Sequence, residues 1–186
     1  MSTERGRVLT RLARASIARA LGVAADDPPR PDWLKAPAAV FVTLTRNGEL
    51  RGCIGSLEAR RSLEEDVVEN ARMAAFADPR FPPLSRSELD DTRIEVSVLS
   101  QAEPIACTDE NDALDKLRPG IDGVILEYGR HRATFLPQVW QQLPKPRAFM
   151  AQLKRKAGLP ADFWDDAVRL YRYTVEKYTE DEHADT

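Results

Sequence analysis

The chain is poor in metal-binding and redox side chains. It has two cysteines, Cys53 and Cys107, and two histidines, His131 and His183, all far apart among 186 residues. Without a Cys-x-x-Cys or a histidine pair, a zinc ribbon and a disulfide framework are both excluded, and neither a metal nor a cofactor is expected. No apolar run approaches the roughly 20 residues of a membrane span. The N-terminus carries arginines but not the continuous apolar stretch of a secretory signal. A basic excess is missing too: 27 Lys and Arg face 30 Asp and Glu, a formal net charge of −3. That argues against a nucleic-acid binder that uses its whole surface. These absences describe a soluble protein of a reducing compartment, expected in the cytoplasm.

What is present is enough for a core. Hydrophobic residues make up 42% and charged residues 31%, and the length fits one domain, or one domain with a smaller lobe. Residues 1–6 read as a frayed arm. Leu9, Leu12, Ala13, Ile17, Ala20 and Leu21 recur at helical spacing, with Arg11, Arg14 and Arg19 largely on the other face and Gly22 as a stop. A proline-rich linker over 26–37 carries Trp33 as an anchor. Ser62-Leu63-Glu64-Glu65 is a capping box that opens a helix to about Ala77, ended by Asp78-Pro79. Ser85 to Glu88 repeats the box over one short turn. Further short helices are expected at Asp109–Leu117, Pro137–Leu143 and Arg147–Ala157, with Asp162 capping one more turn.

The strands come in hairpins. Val40, Val42 and Leu44 alternate with Phe41 and Thr43, and Asn47-Gly48 supplies the positive φ angles of a tight turn, so Leu50 to Ile54 returns antiparallel. Ile94, Val96 and Val98 alternate with Arg93, Glu95 and Ser97 in a half-buried strand. Val124–Tyr128 and Ala133–Leu136 form a second hairpin with His131 near its tip. Arg169 to Val175 reads as the last strand, followed by a flexible acidic end over 179–186. Hairpins rather than strand–helix–strand repeats predict an α+β fold: a mainly antiparallel sheet flanked by helices. The domain spans 8–178, with a smaller lobe after Leu136, within 137–165.

The chemistry concentrates at Leu50-Arg51-Gly52-Cys53-Ile54-Gly55. On a flat strand Arg51 and Cys53 share a face, and a guanidinium beside a thiol favours thiolate. Gly52 and Gly55 leave the backbone bare for a close approach. Cys53, Arg51 and Glu95 are the candidate catalytic residues; Gly52, Ile54, Gly55, Asp78 and Arg80 are the candidate ligand contacts. Arg80, in the proline-stiffened loop Asp78 to Pro83, suits capture of an anion. The plainer alternatives are a cysteine that is a small buried hydrophobe, glycines that mark a bulge or a helix contact, and an Arg80 paired with Asp78 or Glu88. No histidine stands near as a base, so Glu95 or Asp78 would have to serve.

Phe41-Val42-Thr43-Leu44 followed by Leu50-Arg51-Gly52-Cys53-Ile54-Gly55 resembles the signature of the AMMECR family, whose bacterial members are also called AmmeMemoRadiSam system protein A. Asp78-Pro79-Arg80-Phe81, Ile94 to Leu99, Gly120 to Gly123, Leu136-Pro137-Gln138-Val139 and Lys156-Ala157-Gly158 resemble its later blocks in the same order. The resemblance implies an α+β fold with a larger and a smaller subdomain, a poorly defined function, and partnership with a Memo-like protein and a radical S-adenosylmethionine protein in a modification pathway. Three readings follow. One is a cysteine-dependent enzyme acting on an unknown small molecule. Another is a non-catalytic interaction module. The third is an RNA-binding accessory using basic clusters such as Lys145, Arg147, Lys154, Arg155 and Lys156, which the acidic balance disfavours.

Overall fold

The computed structural model describes residues 3–180. Its elements run α1 (Glu4–Ala20), β1 (Ala39–Arg46), β2 (Glu49–Gly55), α2 (Leu63–Phe76), β3 (Thr92–Leu99), β4 (Glu103–Pro104), α3 (Glu110–Lys116), β5 (Gly123–Tyr128), β6 (His131–Phe135), α4 (Pro146–Lys156), β7 (Arg169–Tyr173) and β8 (Val175–Thr179). The chain folds into two compact units. One holds the chain through Leu99 and again from Glu176; the other is Ser100–Val175. The fold is α+β, with an antiparallel sheet in each unit.

In the first unit the sheet order is β2-β1-β3-β8. Val40, Val42 and Leu44 of β1 and Ile94, Val96 and Val98 of β3 turn one way, because alternate side chains on a strand share a face. They meet Leu9, Leu12 and Ile17 of α1 and Leu63, Val67, Ala71 and Ala74 of α2 in one cluster. Both helices therefore cover the same face. Each such aliphatic side chain contributes about 1.5–3 kcal/mol on burial. Small residues on α2 let it lie close: a Cβ at Gly52 would sit 2.1 Å from the Ala74 carbonyl oxygen. The Ser62/Glu65 capping box opens α2, and Gly22, at φ 73°, ends the turn after α1, with Val23 N–H reaching Ala18 O at 2.8 Å.

The start of α1 lies earlier than the periodicity indicates. Thr3 accepts the Gly6 N–H at 3.1 Å and caps a helix that begins at Glu4, so 4–6 are helical rather than frayed; residues 1 and 2 of the expected arm lie outside the described residues. The last strand also differs. Thr174 interrupts it, and β7 and β8 belong to different sheets. Glu180, placed by the sequence reading in a flexible end, is held: its carboxylate accepts from Arg14 at 2.5 Å and from the Ile94 N–H at 3.0 Å. The remainder of that end, 181–186, lies outside the described residues.

The second unit orders its strands β4-β7-β5-β6. Its core joins Val124, Leu126 and Leu170 to Phe149, Met150 and Leu153 of α4, with Trp140 stacked on Phe149 at 3.8 Å and the Trp140 N–H donated to Asp122 O. Glu103 and Pro104 form a two-residue edge pairing with Arg172 and Tyr171, an edge being where proline is tolerated. Asp162 opens no helical turn. His131 opens β6 opposite Tyr128, beside the turn at 129–130, and is exposed as expected; its Nδ1 meets Ala157 O at 2.8 Å.

Candidate functional site

The geometry at Cys53 is set by one extra residue. The hairpin turn Asn47-Gly48 has φ of 52° and 79°, so pairing starts at Arg46↔Glu49 and Thr45↔Leu50. Regular counting would then oppose Leu44 to Arg51 and Val42 to Cys53, placing the guanidinium and the thiol on the buried face. Instead the register slips between Leu44 and Thr45, and Leu44 faces Gly52. Arg51 is the extra residue of a β-bulge. A slip of one residue moves all that follows to the opposite face. Gly52 turns inward beneath α2, and Cys53 turns outward opposite Thr43.

Thr43 is also paired with Glu95 on β3. Cys53, Thr43 and Glu95 thus form one row across three strands, on the face away from the helices. Thr43 Oγ1 is 3.3 Å from Cys53 Sγ, and Glu95 accepts from Thr179 Oγ1 of β8 at 3.3 Å. The Cys53 sulfur belongs to a half-buried residue, not to one sealed in aliphatic packing.

Asp78 and Arg80 close the edge of β2 beside that row. Asp78 accepts the Cys53 N–H at 3.0 Å. Arg80 grips both Asp78 oxygens, through Nε at 3.0 Å and Nη2 at 2.8 Å, and its Nη2 also reaches Cys53 O at 3.4 Å. The Arg80 bond, then the N–H groups of Cys53 and Arg80, hold the Asp78 carboxyl far below the usual carboxylate range against its burial. The pair is asymmetric: the Asp78 side chain is 2% exposed, that of Arg80 54%. Arg80 therefore presents a fixed cation at the surface, next to the thiol.

Arg51 is elsewhere. Its Nη2 donates to Pro82 O at 2.7 Å and to Glu88 at 3.1 Å, and its guanidinium carbon lies 5.8 Å from the Phe81 ring centre. It is 8% exposed and its Nη1 has no hydrogen-bond partner among the described residues. The expectation that Arg51 and Cys53 emerge side by side is corrected here: the bulge takes Arg51 out of the alternation and points it at the 82–88 loop. Arg51 fixes that loop, which follows directly on the segment whose Asp78 and Arg80 lie against the strand.

The two glycines are corrected as well. Neither offers bare backbone, since α2 fills the space at Gly52 and the Phe41 ring lies 2.2 Å from where a Gly55 Cβ would be. Ile54, opposite Val42, packs on the core, so it is not a surface contact. Of the residues singled out from sequence, the structure brings together Cys53, Glu95, Asp78 and Arg80. It adds Thr43, read only as polar alternation, and Glu88, read as a cap or a partner of Arg80 but paired with Arg51, while Arg80 takes Asp78. The register of the hairpin was the available signal for Thr43, but the bulge hides it.

Three members of the basic clusters are engaged within the protein. Arg14 pairs with Glu180, Arg19 with Asp27, and Lys154 is buried against Glu110. Among the described residues no group of three or more His, Cys, Asp or Glu is arranged to hold a metal, and no helix is long and apolar enough to cross a membrane.

A family model described as AMMECR1 matches residues 10–178. A protein of Methanothermobacter thermautotrophicus is 39% identical, covering 97% of each chain. One of Thermococcus onnurineus is 41% identical over 96% of this chain and 91% of its own, and one of Thermotoga maritima is 39% identical over 82% and 84%. The crystal structure of an uncharacterised protein from Pyrococcus horikoshii superposes with a TM-score of 0.84 at 37% identity, covering 97% of this chain and 93% of that one.

Proposed function

The chain belongs to the AMMECR1 family, and from that premise we propose that it acts through the outward row of its first sheet, as a cysteine-dependent site for a small electrophilic ligand bearing an anionic group. In this reading Cys53 attacks an electrophilic carbonyl carbon. The S–C bond forms as the C=O π bond opens onto oxygen. The thiol proton passes through the Thr43 hydroxyl to the Glu95 carboxylate, and Arg80 holds the ligand's negative charge. The observation that carries the reading is the alignment of Cys53, Thr43 and Glu95 beside the surface cation of Arg80. Histidine, the usual base, is replaced by a carboxylate one strand further on.

The interaction-module reading has less support. A docking strand would need the free N–H and C=O of β2, and at Cys53 both are already taken by Asp78 and Arg80. The Memo-like and radical S-adenosylmethionine partners implied by the resemblance are kept in the proposal as neighbours in a modification pathway that supplies the electrophile.

The test is the rate at which iodoacetamide and iodoacetate alkylate Cys53 in a Cys107→Ser background. Cys53 is expected to react at least about tenfold faster than a model thiol, and Glu95→Gln is expected to remove that gain. Arg80→Ala should slow the anionic reagent more than the neutral one. A Cys53 that reacts like a model thiol in the parent, whatever stands at 95, sinks the proposal.

A further inference from the structure

The second unit contains a cavity of about 400 Å³ that the Cys53 site does not use. Its volume is within the range of small-molecule sites, about 300–1,000 Å³. The cavity lies just past the point where Ile105 N–H donates to Leu170 O at 2.8 Å. Cys107, Thr108, Trp164, Arg169 and Tyr171 are among the residues that line it.

Three features give it a chemical preference. Its floor is apolar: Ile105, Val168 and Leu170 are all buried core residues. Its wall includes the Trp164 indole, which is fixed from the protein side. The Lys154 ammonium lies 5.8 Å from the indole ring centre. Lys154 is itself 1% exposed, held by Glu110 and by Ala161 O at 3.3 Å. An immobilised aromatic plate over an apolar floor favours a flat, aromatic partner.

At the rim stands Arg169. Among the described residues its guanidinium makes one hydrogen bond, to the main-chain oxygen of Asp166 at 3.3 Å, and no ion pair. A guanidinium has five donors in a planar fork suited to carboxylate or phosphate, so most of this one's capacity is unused. Cys107 does not supply a second reactive centre. Burial, then Asp112, push its thiol pKa up, which makes it a neutral wall.

We propose that this cavity binds a small aromatic molecule carrying one anionic group, with its ring against Trp164 above Ile105, Val168 and Leu170 and its anion on Arg169. The Asp166 carboxylate also lines the cavity and opposes the anion, so the ligand carries a single anionic group directed away from it. The site is independent of the chemistry at Cys53.

Phenyl phosphate is the probe, titrated into the full-length ¹⁵N-labelled protein. The chain has three tryptophans, Trp33, Trp140 and Trp164, so three indole N–H signals report. Saturable movement of the Trp164 signal, with Trp33 and Trp140 still, is the expected result. Arg169→Ala should weaken binding at least about tenfold, the loss of a charge-assisted contact, and Asp166→Asn should tighten it. Cys53→Ser should leave it unchanged. A Trp164 signal that does not move overturns the proposal. So does an Arg169→Ala variant that binds as tightly as the parent, or inorganic phosphate alone giving the same movement. Both Arg169 and Asp166 are exposed, so the variants keep the fold, and the unmoved Trp33 and Trp140 signals verify it.

Discussion

The Asp78 carboxylate accepts the main-chain N–H of Cys53 at 3.0 Å from 25 residues downstream, and with the same oxygens it holds Arg80. It stands where a further strand's carbonyl would stand, so the edge of the sheet is closed by a side chain rather than by pairing. Asp78→Ala leaves the Cys53 amide without its acceptor and the Arg80 guanidinium with only the Cys53 carbonyl oxygen. The expected loss is about 2–4 kcal/mol in urea unfolding. Asp78→Asn keeps one acceptor and should lose less.

Acid should undo the same contact. The folded pKa of Asp78 lies below its unfolded value of about 4, and that of Glu88 is also lowered, chiefly by the Ser85 N–H and then by Arg51. Stability from a depressed carboxyl is complete above the unfolded pKa and is lost as pH falls towards the folded one. The urea midpoint should therefore hold steady from about pH 7 to 5 and fall below about pH 4. Asp78→Asn should flatten that fall, and an equally steep fall in the variant would contradict the assignment.

Arg51 and Glu88 should behave as a coupled pair. Arg51 is buried and donates to Glu88 and to Pro82 O, which one ammonium cannot reproduce with the same planar geometry. Arg51→Lys is expected to cost about 1–3 kcal/mol. A double-mutant cycle with Glu88→Gln should give a coupling above about 1 kcal/mol. Additive single effects would show that the pair does not anchor the loop.

The two glycines of the signature should fail differently. Gly52→Ala drives a methyl into the Ala74 carbonyl, 2.1 Å away on a helix backbone that cannot yield, so a loss of about 3 kcal/mol or more is expected. Gly55→Ala instead meets the Phe41 ring, which is a side chain. Adding Phe41→Ala should recover much of the Gly55→Ala loss and none of the Gly52→Ala loss, as read from thermal midpoints.

Local signals were legible and register was not. Ser62 with Glu65, and Asn47 with Gly48, act through bonds and φ angles within a few residues, so their helix start and hairpin could be read directly. The hydrophobic alternation of Val40, Val42 and Leu44 fixed the buried face of β1 for the same reason. The bulge at Arg51 depends on how β2 meets α2, where Gly52 must lie under Ala74, and no local pattern announces that. It decided which face Cys53 occupies and separated Arg51 from it. Thr174 was equally silent: with neither glycine nor proline there, a run of alternating residues gave no sign that the chain changes sheets. The pairing of Glu95 with Thr43 needed the strand order, which alternation alone does not supply.

That change of sheets has a further meaning. Ser100 N–H donates to Thr174 O at 2.9 Å, and Thr174 N–H donates to Ser100 Oγ at 2.8 Å, so the chain's departure after β3 and its return before β8 are clasped together. Residues 101–173 are therefore bracketed by one hydrogen-bonded residue pair. A gene encoding this protein could lose or exchange that whole stretch by a single in-frame event, with Ser100 rejoined to Thr174, and β8 would still arrive beside β3.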